Sequence, residues 1–201
     1  MFTHIRAAAL IAAGATSVAS GSITYSFNPV KGASSGAGVP QLSVTVVDHA
    51  PGQVAFTFAN AGPAPGSVTG VYFQAPSFTS IATIVNGSGV NFAPGGSPPN
   101  LPGGNSMSPA FVTTPGLLAS AVASPIANGV QPGEWVTVVL NLAPTKTFQD
   151  VIGELNSGVQ ARVGLRVQGM GGDEGGSHVT PAPGACVLGA LGGLVAVRRR
   201  G

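Results

Sequence analysis

Gln41 to Asn60 reads QLSVTVVDHAPGQVAFTFAN. Leu42, Val44 and Val46 alternate with Ser43 and Thr45; Val54, Phe56 and Phe58 alternate with Ala55, Thr57 and Ala59. Successive side chains of a strand point to opposite faces, so each run carries one apolar face and one small or polar face. HAPG lies between them and supplies the Pro and Gly of a hairpin connection. Two half-buried antiparallel strands joined this way point to an all-β chain.

The same period recurs outward from this pair. In GEWVTVVLNL, Val136, Val138, Leu140 and Leu142 make a core face; in ARVGLRVQ, Val163, Leu165 and Val167 do, with Arg162, Arg166 and Gln168 outward. Ile23–Phe27, Val68–Phe73, Phe78–Val85 and Val90–Phe92 are shorter strand candidates, and IVNGSGVNF reads as a second hairpin turning at Asn86-Gly87. TFQDVIGELNSG breaks the period: Phe148, Val151, Ile152 and Leu155 recur at helical spacing, with Thr147 as N-cap, Asp150 at N3 and Gly158 just past the end. Around nine strands separated by turn signals predict an antiparallel β-sandwich, jelly-roll-like or Ig-like, with one short helix around 147–157.

Composition agrees. The 201 residues include 31 glycines and 17 prolines, 44% are hydrophobic, and 7% are charged against roughly 25% in an ordinary domain. Mean hydropathy is +0.38, too apolar for a disordered polar linker. The pI of about 9.1 comes from the ends, where Arg6, Arg198, Arg199 and Arg200 lie. Between them Lys31, Lys146, Arg162 and Arg166 face six acids: Asp48, Glu134, Asp150, Glu154, Asp173 and Glu174. Nucleic-acid binding needs a clustered basic face, and this slightly acidic middle has none. Cys186 is the one cysteine, so the body has no internal disulfide and no thiolate metal site.

The two ends read as addresses. MFTHIRAAALIAAGATSVAS, residues 1–20, has a basic start, an apolar run and small residues before cleavage after Ala19 or Ser20, the layout of a secretory signal. The domain then spans 21–170, a Gly-rich linker 171–180, and the tail 181–201. In that tail Ala185 to Val197 is a 13-residue apolar run, short of the roughly 20 residues of a spanning helix. Pro181 and Pro183 precede it, and Arg198, Arg199 and Arg200 form a positive stop on the cytoplasmic side. Together these give a transient inner-membrane tether; an ordinary marginal anchor, or lipidation of Cys186, are the alternatives.

This Pro-x-Pro element, short Gly/Ala/Leu run and terminal arginine cluster resemble the PEP-CTERM sorting signal of Gram-negative bacteria, over the last 21 residues, with Ala182 where the usual signal has Glu. The resemblance implies processing by an exosortase-type enzyme and a cell-surface or extracellular-matrix destination, with exopolysaccharide or other envelope components as partners.

Signals for chemistry are sparse. Asp48-His49 is the acid–His neighbour pair, in an expected turn where Asp serves as a turn former; His178 falls in the linker and is expected to be solvated. Asp150 and Glu154 make an i,i+4 pair expected on an exposed helix face, and Glu134 opens a strand. No pair of these is placed for glycoside hydrolysis, so no enzyme is expected. Asp173 and Glu174 are a weak calcium candidate without a D-x-D-x-D run. No Gly-rich segment sits in a nucleotide-binding context, so no cofactor is expected. Sugar stacking is the remaining binding chemistry: Tyr72 points outward if Val71 and Phe73 point in, and Trp135 does if Val136 and Val138 point in; core or edge packing of Trp135 is the alternative. Ala93 to Ala110, with five prolines and four glycines in 18 positions, is either the rim of a binding face or a stiff, solvated connection. The whole predicts an exported structural or adhesion protein, with a carbohydrate-binding module as the alternative and a secreted hydrolase behind it.

Overall fold

Gln41–Asn60 folds as a hairpin with a tighter turn than HAPG. The computed structural model describes residues 21–30, 41–169 and 176–180. In it β3 (Leu42–Ala50) and β4 (Gln53–Asn60) are joined by Pro51-Gly52 alone, with Gly52 at φ 76°, a conformation open to glycine at no steric cost. Asp48 and His49 therefore lie in β3, where the register slips between Asp48 and Ala50. The expected turn position is corrected to a β-bulge.

The described chain is an antiparallel sandwich of two sheets. The five-stranded sheet runs β1 (Ser22–Ser26), β3, β4, β9 (Trp135–Leu142), β6 (Phe78–Asn86). The six-stranded sheet runs β2 (Asn28–Pro29), β11 (Gly176–Val179), β10 (Arg162–Gln168), β5 (Ser67–Gln74), β8 (Leu118–Ala121), β7 (Phe92–Pro94). Alternation does its work as expected: Val44, Val46, Val54, Phe56, Phe58, Val136, Val138, Leu140, Val163, Leu165 and Val167 all enter one buried cluster. Phe73 of β5 meets Phe56 and Phe58 of the facing sheet edge-on, with ring centroids 5.2 and 6.0 Å apart. Such pairs add about 0.5–1.5 kcal/mol beyond burial.

Phe148–Ser157 is the expected helix, here α2; a short helical turn, α1 (Pro125–Asn128), precedes β9. Thr147 and Asp150 form a reciprocal capping box, and Gly158 closes α2 at φ 68°. Val151, Ile152 and Leu155 bury the apolar face.

Four expectations are corrected. IVNGSGVNF is no hairpin, because β6 pairs with β9 and β7 with β8 in the other sheet. The segment crosses between sheets: the Asn86 amide bonds both the N–H (2.9 Å) and the carbonyl (3.2 Å) of Phe92, and the positive φ falls at Gly89. Residues 176–179 of the expected linker form β11, paired to β10 and β2. Ala93–Ala110 is more than a solvated connection, although most of its residues are exposed. With Phe111 it folds back over the outer face of the six-stranded sheet, where Leu101, Met107 and Phe111 pack on Tyr72, Leu118 and Val179 as a second small core. Finally, Glu154 is buried rather than exposed.

Candidate functional site

The outer face of the five-stranded sheet is built by the small residues that alternate with the core positions. Cross-strand partners share a face, so the register lines up Thr24, Thr45, Thr57 and Thr137 across four adjacent strands, ending at Val85 on β6. Thr24 and Thr45 share a hydroxyl hydrogen bond of 2.9 Å, and Thr57 and Thr137 one of 2.8 Å. Strands lie about 4.8 Å apart, and the hydroxyls draw together across them in two bonded pairs. One side of this rank runs Ser26, Ser43, Ala59, Trp135. Towards the other end of the strands the Gln53 amide donates to Asn141 Oδ1 (3.0 Å) and the Asn141 amide to Ser80 Oγ (3.0 Å). None of these residues is ionisable.

Trp135 is 41% exposed, outward as its alternation requires and not part of the core. Its carbonyl accepts the Gly87 N–H at 3.1 Å. A Cβ at position 87 would meet that carbonyl at 2.6 Å and the indole at 3.3 Å, so a glycine there lets the β6–β7 crossing pass against one side of the ring. Ala59, directly opposite, leaves space beside it. The result is a braced aromatic platform at the end of a hydroxyl and amide surface.

Tyr72 does not join it. It points away from the main core as the pattern requires, but on the other sheet, and the 93–111 segment covers it to 1% exposure. Burial raises its phenol pKa. Its role as a stacking residue is corrected to a core one.

The ionisable residues are scattered and structural. Asp48 and His49 are exposed at the β3 bulge, with no partner in the described chain. The Glu134 carboxylate accepts the Gln131 N–H at 2.8 Å and caps its own turn. Glu154 Oε1 accepts from Ser77 Oγ (2.6 Å) and Lys146 Nζ (2.8 Å), tying α2 to the β5–β6 corner and the β9–α2 loop. Asp150 is held in the capping box, where hydrogen bonds from Thr147 lower its pKa.

His178 is fully buried rather than solvated. It faces the main core as Leu165's cross-strand partner, neither ring nitrogen has a hydrogen-bond partner, and desolvation lowers its pKa. Nothing in its Gly-rich surroundings marked it as core.

Among the described residues no group of three or more His, Cys, Asp or Glu side chains is placed to hold a metal, and no helix is long and apolar enough to cross a membrane. Asp173, Glu174, Pro181, Ala182, Pro183, Arg198, Arg199, Arg200 and the expected signal at 1–20 lie outside the described residues. The chain matches no protein-family model, no curated protein and no solved structure.

Proposed function

We propose that this chain is an exported, non-enzymatic adhesion protein of the bacterial envelope or extracellular matrix, and that it attaches to neutral polysaccharide through the outer face of its five-stranded sheet. The observation that carries the reading is that face: ranked threonine hydroxyls, an amide row and an exposed, braced Trp135, with no charge among them. Sugar rings present apolar faces to stack on an indole and hydroxyls that both donate and accept, which is what threonine, asparagine and glutamine answer. An uncharged surface desolvates at low cost against an uncharged polymer.

Export rests on the signal-like start, and destination on the tail that resembles a sorting signal with an exosortase-type enzyme as processing partner. The structural employment of Glu134, Asp150 and Glu154 supports adhesion over hydrolysis.

Trp135 is the chain's single tryptophan, so its fluorescence reports this face alone. Titrating the full-length protein with a soluble neutral β-glucan is expected to give a saturable change in emission. Trp135→Ala, followed by pull-down on the insoluble polymer, is expected to weaken binding at least about tenfold, the effect of roughly 1.4 kcal/mol, with the melting temperature unchanged. Emission indifferent to every neutral polysaccharide tried would sink the proposal. Export is tested separately by intact mass: a native protein still carrying Arg198 to Arg200 would remove the sorting step.

A further inference from the structure

On the far side of the sandwich, Arg162 has an environment that its fold role does not exhaust. It is 3% exposed, opposite Gln74 on the outer face of the six-stranded sheet and under the 93–111 segment. Nη1 donates to the Pro109 carbonyl (2.9 Å), Nη2 to Gln74 Oε1 (2.7 Å) and to the Ala110 carbonyl, and the guanidinium lies 5.4 Å from the centre of the Phe111 ring. All these partners are neutral. Among the described residues no carboxylate pairs with Arg162; the one ion pair there is Lys146–Glu154. Nε is buried without an acceptor. A guanidinium has five donors, and a buried charge without a counter-charge is costly.

Arg162 also lines a cavity of about 220 Å³, with Asn28, Pro29, Met107, Val159 and Thr180 among its walls. We propose that this cavity binds a carboxylate-bearing sugar, a uronate residue, with the carboxylate on Arg162. One guanidinium and, among the described residues, no second cation in the lining match a single negative charge rather than a phosphate dianion. Pro29, Met107 and Val159 offer apolar surface to a ring. The Asn28 amide has no hydrogen-bond partner among the described residues, and the Thr180 hydroxyl, which accepts from the Val163 N–H at 3.1 Å, keeps its proton to donate. The volume holds one sugar residue, so the cavity takes a chain end or side branch, not an internal stretch of polymer. It lies on the opposite sheet from Trp135 and stands or falls independently of that face.

The experiment is an amide NMR titration of the ¹⁵N-labelled full-length protein with glucuronate, and with glucose and acetate as controls. Glucuronate is expected to shift the amides of 159–163 and 179–180 saturably, while glucose leaves them in place and acetate binds about tenfold more weakly. Because Arg162→Gln also removes the bonds that hold the 93–111 segment, the decisive variant is Val159→Glu, at an exposed wall position. Its carboxylate at the mouth repels that of the ligand and competes for the guanidinium, and is expected to weaken glucuronate about tenfold. Glucose and glucuronate acting alike, or glucuronate binding undiminished in Val159→Glu, would overturn the site and leave Arg162 as a pin for the loop. Acetate binding as tightly as glucuronate would overturn the sugar.

Discussion

Gly164 on β10 sits directly beneath the 93–111 segment, between Tyr72 of β5 and Val179 of β11, and replacing it with alanine tests whether that segment is a packed layer. A Cβ at 164 would lie 2.7 and 3.2 Å from the two methyls of Leu101 and 3.2 Å from Phe111 Cζ. Leu101 and Phe111 are 3% and 2% exposed, so neither side chain has free space to swing into. The backbone is not in the left-handed region, so on conformational grounds alone the change stabilises, by about 0.4–1 kcal/mol. Overpacking a closed core costs about 1–3 kcal/mol and outweighs it. The expected net loss is about 1–2 kcal/mol, and at about 2–4 °C per kcal/mol for a chain of this size the melting temperature falls by roughly 3–6 °C. Circular dichroism melts of Gly164→Ala, Leu101→Ala and the double variant check it. Leu101→Ala alone is expected to cost about 2–5 kcal/mol, and in the double the new methyl occupies the vacated space, so the losses do not add. An unchanged melting point in Gly164→Ala, or strict additivity in the double, would refute the packing and return the proline-rich stretch to solvent.

Two further expectations concern the buried polar groups. His178 is neutral in the folded state with its pKa lowered by burial, so below the unfolded value of about 6.5 the unfolded chain takes up a proton that the folded chain refuses. Stability is therefore full above about pH 6.5 and falls as pH drops towards the folded pKa; urea titrations across pH 5–7.5 should show this slope, and His178→Leu should flatten it. Glu154→Ala removes the acceptor from the fully buried Ser77 hydroxyl and should cost about 1–3 kcal/mol in the same assay. Lys146→Ala, at the more exposed end of the pair, should cost less; equal losses would mean that the ion pair, not the serine, is the important contact.

The strands most legible in the sequence were those buried on one face. β3, β4 and β9 alternate because water lies on their outer side, and α2 was legible because its caps and its apolar stripe agree. β5 was legible as the candidate Val68–Phe73, but which of its faces is dry was not: all of its residues but Gln74 are buried, the proline-rich segment lies over Tyr72 on its outer face, and period-2 contrast fades where both faces are dry. The same covering hid the fate of Tyr72. Alternation correctly turned it away from the main core, but nothing local says that Leu101, Met107 and Phe111, three apolar residues spaced through a stretch of Pro, Gly and Ser, will return to cover it. Asn86-Gly87 failed for a different reason. A hairpin and a sheet-to-sheet crossing use the same turn residues, and what separates them is the distant partner, β9 for one arm and β8 for the other.

Trp135 was found by alternation, yet the surface it belongs to was not, because a rank across a sheet joins residues 24, 45, 57 and 137 that have no sequence relation until the register is known. That surface and the Arg162 cavity also make opposite demands on solvent. Screening weakens attraction between charges and leaves stacking and neutral hydrogen bonds nearly untouched. Binding of a neutral glucan through Trp135 should therefore survive the move from 0.05 to about 0.5 M salt, while glucuronate at Arg162 weakens over the same range. Salt thus separates the two sites in one protein without any substitution. A neutral polymer that washes off at the higher salt would show that charge carries its binding, which the outer face of the five-stranded sheet has no group to supply.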